Sequence, residues 1–172
     1  GEVTENGIRE CGTVASPTRA VRLGGKTTTA APSWSNEVKS IDFMTIASTG
    51  DAQDFGELIE KNAAGTAGSN SIRGIHAGGI FPAPNRSNVI QYITIATLGN
   101  STDFGDLLAG NCLQGATFSS TRGVFAGGSQ PTTVNTIESV TIATTGNSVD
   151  FGDRTEAKSS IAGFSDVHGG LG

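Results

Sequence analysis

Apolar and polar residues alternate along short stretches of the chain, and glycine-rich segments separate these stretches. The alternation is clearest in VIQYITIAT, residues 89–97, which is followed by a Gly-Asn turn signal. Alternation with a period of two residues is typical of a strand that buries one face. No longer segment shows the 3.6-residue period of an amphipathic helix. The pattern therefore predicts an all-β protein made of short strands with little or no helix.

Three short phrases recur along the chain and divide it into units of about 48 residues. The phrases are Thr-Ile-Ala from Thr45, Thr94 and Thr141, Asp-Phe-Gly from Asp54, Asp103 and Asp150, and an Arg-to-Gly-Gly phrase from Arg19, Arg73 and Arg122. Each unit predicts three or four short β segments that are joined by Gly-rich turns. A repeat of this length is the signature of proteins in which one structural unit packs against the next.

The repeat predicts one domain over residues 1–172, with units at about 1–55, 56–104 and 105–151 and a partial unit at 152–172. The opening GEVTEN aligns with GELIEKN at Gly56, and the chain stops just after a fourth Gly-Gly pair. Both ends therefore fall inside a unit. We expect the chain to be a segment of a longer array.

The repeated Asp-Phe-Gly phrase predicts an anchor in the core and not a kinase site. A kinase carries the motif once, together with a glycine-rich loop and a His-Arg-Asp catalytic loop, and this sequence lacks both. We expect Phe55, Phe104 and Phe151 to be buried and the following Gly to allow a turn or a close approach of backbones. The Gly pairs are expected to permit positive φ and tight packing between neighbouring units. They lie at 24–25, 78–79, 127–128 and 169–170.

The repeated Arg leaves two interpretations open. An acidic residue follows each Phe-Gly, at Glu57, Asp106 and Asp153. A ladder of Arg–carboxylate pairs between units is one interpretation. The other is that each Arg covers apolar surface with its side-chain stem.

Cysteine and histidine are too few for a disulfide framework or a zinc site. Cys11 and Cys112 fall at related repeat positions, eight residues before Arg19 and ten before Arg122, and we expect them to pack as small apolar side chains. His76 and His168 both precede a Gly pair, which also predicts packing. A disulfide between repeats is the alternative for the cysteines.

Composition excludes several functional classes. The net charge is −5, only 16% of residues are charged, and no stretch is rich in Lys and Arg. A nucleic-acid partner is therefore not expected, and the chain has no apolar run long enough for membrane insertion. No constellation of polar residues stands out from the repeat, so the sequence predicts no enzyme, with no catalytic residues, no cofactor and no metal.

The unit that contains TRGVFAGG and NVIQYITIATLGNSTDFGDL resembles the repeats of large virion structural proteins of tailed bacteriophages. More distantly, the Gly-Gly that closes an apolar strand and the aromatic residue later in the unit resemble the kelch repeat. The kelch resemblance implies four-stranded blades of a β-propeller. An open or linear β-repeat array is the alternative architecture.

The resemblance implies a structural component of a virus particle, in the tail, in a fibre or on the exterior. Its partners would be other virion proteins or copies of itself, and it would be located in the virion or outside the cell. A carbohydrate- or host-surface-binding adhesin is the alternative function, in which Trp34 and Tyr92 would stack on a glycan. A filament-forming extracellular protein is a further alternative.

Overall fold

The chain folds into antiparallel β-sheets. The structure is a computed structural model that describes residues 7–27, 36–81 and 84–165. These residues form three four-stranded sheets and one two-stranded ribbon, and they contain no helix. Accordingly, the described ranges hold no helix that could cross a membrane. The all-β prediction is confirmed.

Each four-stranded sheet is a meander of strands that follow one another along the chain. The first sheet, called the first unit below, contains β1 (Gly12–Ala15), β2 (Arg19–Leu23), β3 (Val38–Thr45) and β4 (Gln53–Asn62). The second unit contains β5 (Thr66–Ser69), β6 (Arg73–Ala77), β7 (Val89–Thr94) and β8 (Thr102–Asp106). The third unit contains β9 (Gly115–Phe118), β10 (Arg122–Ala126), β13 (Thr136–Thr141) and β14 (Val149–Asp153). A ribbon of β11 (Ser129–Gln130) and β12 (Thr132–Thr133) lies between β10 and β13.

All three units share one strand register. The repeated Arg that opens the second strand pairs with the last Thr of the third strand, as in Arg73 and Thr94. The third and fourth strands are offset by a bulge at the same place in every unit. The sequence repeat is therefore a repeat of one bulged, four-stranded sheet, which confirms the prediction of three or four short strands per unit.

The fourth strand of each unit, called the outer strand below, carries the Asp-Phe-Gly phrase. This position decides where one unit ends and the next begins. The unit limits expected from sequence, at 55/56, 104/105 and 151/152, fall inside β4, β8 and β14. A repeat fixes the spacing of equivalent residues but not the residue at which a sheet begins. The second and third sheets begin after the fourth strand of the preceding unit has ended.

In the described ranges, two hydrophobic cores lie between successive units. The first core combines side chains of the first unit with Ile93 and Ile95 of the second, and the second core joins the second and third units in the same way. Phe55 and Phe104 are buried in these cores, as predicted. The same prediction is wrong for Phe151, which is 53% exposed, because no described unit follows the third.

The first strands of the three units, called the inner strands below, lie side by side. β1 contacts β5, and β5 contacts β9. Residues 163–165 lie next to β9, and together these segments help to line a cavity of about 480 Å³. None of the sheets in the described part of the chain is closed. The units are thus arranged with their inner strands facing one shared space.

Candidate functional site: the interface between units

The same polar contacts recur at each place where one described unit meets the next. In the described ranges, no group of three or more His, Cys, Asp or Glu side chains could hold a metal ion. The contacts between the first and second units recur between the second and third. We therefore describe this repeated interface as the candidate functional site.

The repeated Arg joins its own unit to the following one through a backbone carbonyl. Nη1 of Arg19 donates to the carbonyl oxygen of Ile95 at 2.8 Å. Nη1 of Arg73 donates to the carbonyl oxygen of Ile142, also at 2.8 Å. A charged donor on a carbonyl forms one of the stronger hydrogen bonds in proteins. The same bond therefore ties both junctions together.

The guanidinium groups also cover aromatic rings. The Cζ atom of Arg19 lies 4.7 Å from the ring centroid of Phe43, and that of Arg73 lies 4.6 Å from the ring centroid of Tyr92. These distances place the cation over the negative face of the ring. The predicted ladder of Arg–carboxylate pairs is wrong, because carbonyls and rings take up these groups. Covering of apolar surface, the alternative, describes the arginines better.

A Gly-Asn-Ser turn of the second unit extends the outer strand of the first. The backbone N–H of Gly99 donates to the carbonyl of Phe55 at 2.8 Å, and that of Ser101 donates to the carbonyl of Glu57 at 2.9 Å. In return, the backbone N–H of Glu57 donates to Oδ1 of Asn100 at 3.0 Å. The turn thus satisfies the outer edge of the preceding sheet.

The third unit docks on the second with the same three bonds. Gly146 donates to the carbonyl of Phe104 at 2.6 Å, and Ser148 donates to the carbonyl of Asp106 at 2.8 Å. The backbone N–H of Asp106 donates to Oδ1 of Asn147 at 3.0 Å. The Gly-Asn-Ser turn is therefore the docking element of each unit.

The Gly of Asp-Phe-Gly makes room for this turn. A Cβ atom on Gly56 would lie 2.4 Å from the carbonyl oxygen of Gly99, and one on Gly105 would lie 2.5 Å from Gly146. Both glycines have φ near +145°, at 148° and 145°. The expected turn or close backbone approach at this Gly is confirmed as a close approach.

A buried amide adds a further bond at the first junction. Gln91, in the bulge of β7, is almost fully buried. Its Oε1 accepts from the backbone N–H of Ile59 in the preceding unit at 2.8 Å and from the hydroxyl of Ser101 at 2.7 Å. The side chain thus links β4 to the turn that docks on it.

Glu138 occupies the position of Gln91 one unit later. Its Oε2 accepts from the backbone N–H of Leu108 at 2.9 Å and from the hydroxyl of Ser148 at 2.6 Å. Its Oε1 is buried without a hydrogen-bond partner in the described part of the chain. The position therefore requires one side-chain acceptor oxygen, which either Gln or Glu can supply.

Asparagine and the Gly pair form a third repeated contact. Nδ2 of Asn62 donates to the carbonyl of Gly78 at 2.7 Å, and Nδ2 of Asn111 donates to the carbonyl of Gly127 at 3.0 Å. A Cβ on Gly79 would lie only 1.7 Å from Oδ1 of Asn62. Gly78 and Gly79 have φ of 64° and 116°. The prediction that these Gly pairs permit positive φ and tight packing between units is confirmed.

Four non-Gly residues of the described ranges have a left-handed backbone conformation, and hydrogen bonds join them into a row that we call the column. Glu10, Ala64, Leu113 and Ser160 have φ between 55° and 59°. The N–H of each of the last three donates to the carbonyl of the one before it, at 2.9, 2.8 and 2.9 Å. A non-Gly residue in this conformation costs on the order of 1–2 kcal/mol. Sequence reasoning missed the column because none of its members is Gly, although their spacing matches the repeat.

His76 is buried in the packing between the first and second units. A Cβ on Gly65 would lie 2.5 Å from its Cε1, and one on Gly12 would lie 2.9 Å from its Cδ2. Burial lowers the pKa of His76 to about 4. The packing role predicted for His76 is confirmed, while His168 lies outside the described residues.

Both cysteines are free thiols. Cys112 is buried and burial raises its pKa, whereas Cys11 is half-buried. The column shows that the two positions are not equivalent, because Cys11 follows Glu10 while Cys112 precedes Leu113. The expectation of related repeat positions is thus wrong, and the alternative of a disulfide is not realised.

Of the two residues proposed for glycan stacking, Tyr92 lies within the described ranges and Trp34 does not. Trp34 lies outside the described residues, as does the fourth Gly pair. Tyr92 is half-buried in β7, with Arg73 over its ring and Phe104 packed edge-on at a centroid distance of 6.0 Å. One face of the ring is thus occupied within the protein. Glycan stacking by Trp34 and Tyr92 stays a prediction.

No protein-family model and no curated protein matches the chain. The interface is therefore defined by its own geometry. Its distinguishing property is repetition: two junctions, formed by different residues, carry the same hydrogen bonds in the same places.

Proposed function

We propose that the chain is a non-enzymatic structural component of a tailed-bacteriophage particle, in its tail, in a fibre or on its exterior. The observation that carries the proposal is the repeated junction, in which buried polar side chains join one unit to the next. The sequence resemblance to phage virion repeats supports the same role. Other virion proteins are its proposed partners, and the virion or the cell exterior is its proposed location.

We further propose that the three sheets are blades of a kelch-like β-propeller. The inner strands β1, β5 and β9 lie next to one another, and residues 163–165 continue this order along the same cavity. Inner strands that line a central channel are the arrangement of a propeller. A cryo-EM structure of the native assembly tests this, because blades around one axis support it and a straight stack supports the open array.

The structural role is tested on purified particles from the native source. We expect peptides of this chain to stay with the particles through density-gradient purification and a high-salt wash, and an antibody against the chain to label one fixed region. Loss of the chain from washed particles would contradict the proposal. Specific retention of the purified chain on host cells would favour the adhesin instead.

A further inference from the structure

The first and the last described units each expose one half of the repeated interface. Phe151 is 53% exposed, whereas Phe104 at the same position one unit earlier is 2% exposed. Ile46 is 56% exposed, whereas its equivalent Ile95 is 1% exposed. The exposed residues are therefore the ones that a neighbouring unit buries elsewhere in the chain.

The leading face is the exposed side of the third unit, formed by Arg122, Phe151, Gly152 and Asp153. The Cζ atom of Arg122 lies 5.6 Å from the ring centroid of Phe151, close to the stacked arrangement of the other two arginines. A Cβ on Gly152 would meet nothing within 4 Å, whereas one on Gly105 would lie 2.5 Å from the following unit. The leading face thus has the space that a docking turn fills at the other junctions.

The trailing face is the exposed side of the first unit, formed by Met44, Ile46 and the turn at residues 50–52. Met44 and Ile46 occupy the positions of Ile93 and Ile95, which the second unit contributes to the first hydrophobic core. All three residues of the turn are at least partly exposed. The trailing face therefore carries the apolar pair and the turn with which a unit docks.

We propose that a second copy of this chain binds head to tail, so that the trailing face of one copy covers the leading face of the other. By the repeat register, Arg122 donates to the carbonyl of Ile46 of the incoming copy. The N–H of Gly50 of the incoming copy then donates to the carbonyl of Phe151. This contact continues an interface that the chain already forms twice. The inference rests on the geometry of the chain and does not depend on the proposed role in a phage particle.

Head-to-tail binding gives an interface between two different surfaces. Such an interface extends a chain of subunits or closes a ring, and it differs from the self-complementary contact of a two-fold dimer. The difference makes the proposal testable with two variants that each disable one face.

Residues 161–165 occupy the place of the next inner strand along β9. Thr117 donates from Oγ1 to the carbonyl of Phe164, and Ser165 donates from Oγ to the carbonyl of Phe118. The second bond repeats the one from Ser69 Oγ to the carbonyl of Ala15, at 2.9 Å, between the first two units. In the complex, β1 of the incoming copy takes this place and residues 161–165 give way.

The test measures the mass of the 172-residue chain by sedimentation equilibrium over a wide range of concentration. Phe151→Asp disables the leading face and Ile46→Asp the trailing face. Ile59→Asp is the matched control, because Ile59 is 51% exposed even though a neighbouring unit is already in place. Circular dichroism and urea unfolding of each variant verify that it is folded.

We expect the wild type and Ile59→Asp to associate as concentration rises. Each face variant alone should associate at least tenfold more weakly. An equal mixture of the two face variants should form a dimer and grow no further, because only one intact pair of faces remains. A wild type that stays monomeric at every concentration overturns the proposal. A mixture that stays monomeric, or a face variant that associates as well as the wild type, overturns it too.

Gly163→Val tests whether residues 161–165 give way to β1 of the incoming copy. A Cβ at Gly163 would lie 1.7 Å from the carbonyl oxygen of Ala116, so the larger side chain forces this segment away from β9. We expect Gly163→Val to associate at least tenfold more tightly than the wild type. Weaker association would mean that the segment helps to hold the partner, and this would overturn the proposed exchange of strands.

Discussion

Arg73 donates from Nη1 to the carbonyl oxygen of Ile142 at 2.8 Å, across 69 residues of the chain. Its guanidinium also lies 4.6 Å from the ring centroid of Tyr92. Arg122 holds the same position in the third unit, the last one described, but it lies over the exposed ring of Phe151. The two arginines therefore differ mainly in whether the structure describes a following unit.

Replacing Arg73 should weaken the junction, and replacing Arg122 should not. Arg73→Ala removes a charged donor from a carbonyl between two units, and we expect the free energy of unfolding to fall by about 2 kcal/mol. Arg122→Ala should lower it by less than about 0.5 kcal/mol, as is usual for an exposed side chain. Urea unfolding in dilute solution measures both values. Equal losses would show that the arginine acts within its own unit.

Glu138 should be replaceable by glutamine but not by alanine. Gln91 makes the same two bonds at the same position, so Glu138→Gln should change the free energy of unfolding by less than about 1 kcal/mol. Glu138→Ala leaves the N–H of Leu108 and the hydroxyl of Ser148 without their acceptor and should lower it by about 3 kcal/mol. Urea unfolding separates the two variants.

The reciprocal change supplies the control for this position. Gln91→Glu should keep the folded structure, since Glu138 fits the same bulge one unit later. If Glu138→Gln is as damaging as Glu138→Ala, the position requires a carboxyl group, and its equivalence with Gln91 is contradicted.

Gly105 and Gly152 provide a matched pair that isolates the close approach between units. Their φ values are 145° and 137°, so alanine at either site should lose about 2 kcal/mol from backbone conformation alone. Gly105→Ala also forces a Cβ to within 2.5 Å of Gly146 and should lose at least about 2 kcal/mol more. Thermal or urea unfolding gives the difference. Equal losses would mean that the turn moves aside without cost.

His76 should make the protein less stable in mild acid. The pKa of His76 is about 4 in the folded protein, whereas its ordinary value is 6.5. Between these values the unfolded chain binds more protons than the folded chain, so the free energy of unfolding falls as the pH is lowered. The loss begins near pH 6.5 and reaches about 3 kcal/mol at pH 4.

A non-titrating variant is the control for this pH dependence. His76→Gln removes the titration while keeping a side chain of similar size, so its stability should vary less between pH 6.5 and 4. Urea unfolding at several pH values compares the variant with the wild type. An unchanged slope would assign the acid sensitivity to other groups.

The repeat made much of the fold predictable from the sequence. The alternation of apolar and polar residues predicted strands, and the spacing of Thr-Ile-Ala and the Gly pairs predicted repeated units. Gly78 and Gly79 have the positive φ expected of them. Local patterns do not report the partner of a side chain, so the carbonyl of Ile142 could not be inferred as the acceptor of Arg73. Phe151 was misjudged for the same reason, because burial depends on a neighbouring unit and not on the Asp-Phe-Gly phrase.

The column of left-handed residues was beyond reach for a different reason. Ala64 and Leu113 are not residues that favour positive φ, so composition gives no signal there. Tertiary packing holds these residues in place. The repeat places these residues at one position, but no residue type there indicates a left-handed backbone.

Successive members of that column are 54, 49 and 47 residues apart, yet the hydrogen bonds that join them differ by only 0.1 Å. The number of residues in a unit therefore varies without disturbing the docking of one unit on the next. We therefore expect insertions and deletions between the column positions to leave the interface intact. Evolution can lengthen, shorten or diversify each loop independently, while duplication of a whole unit adds a module that already fits its neighbours.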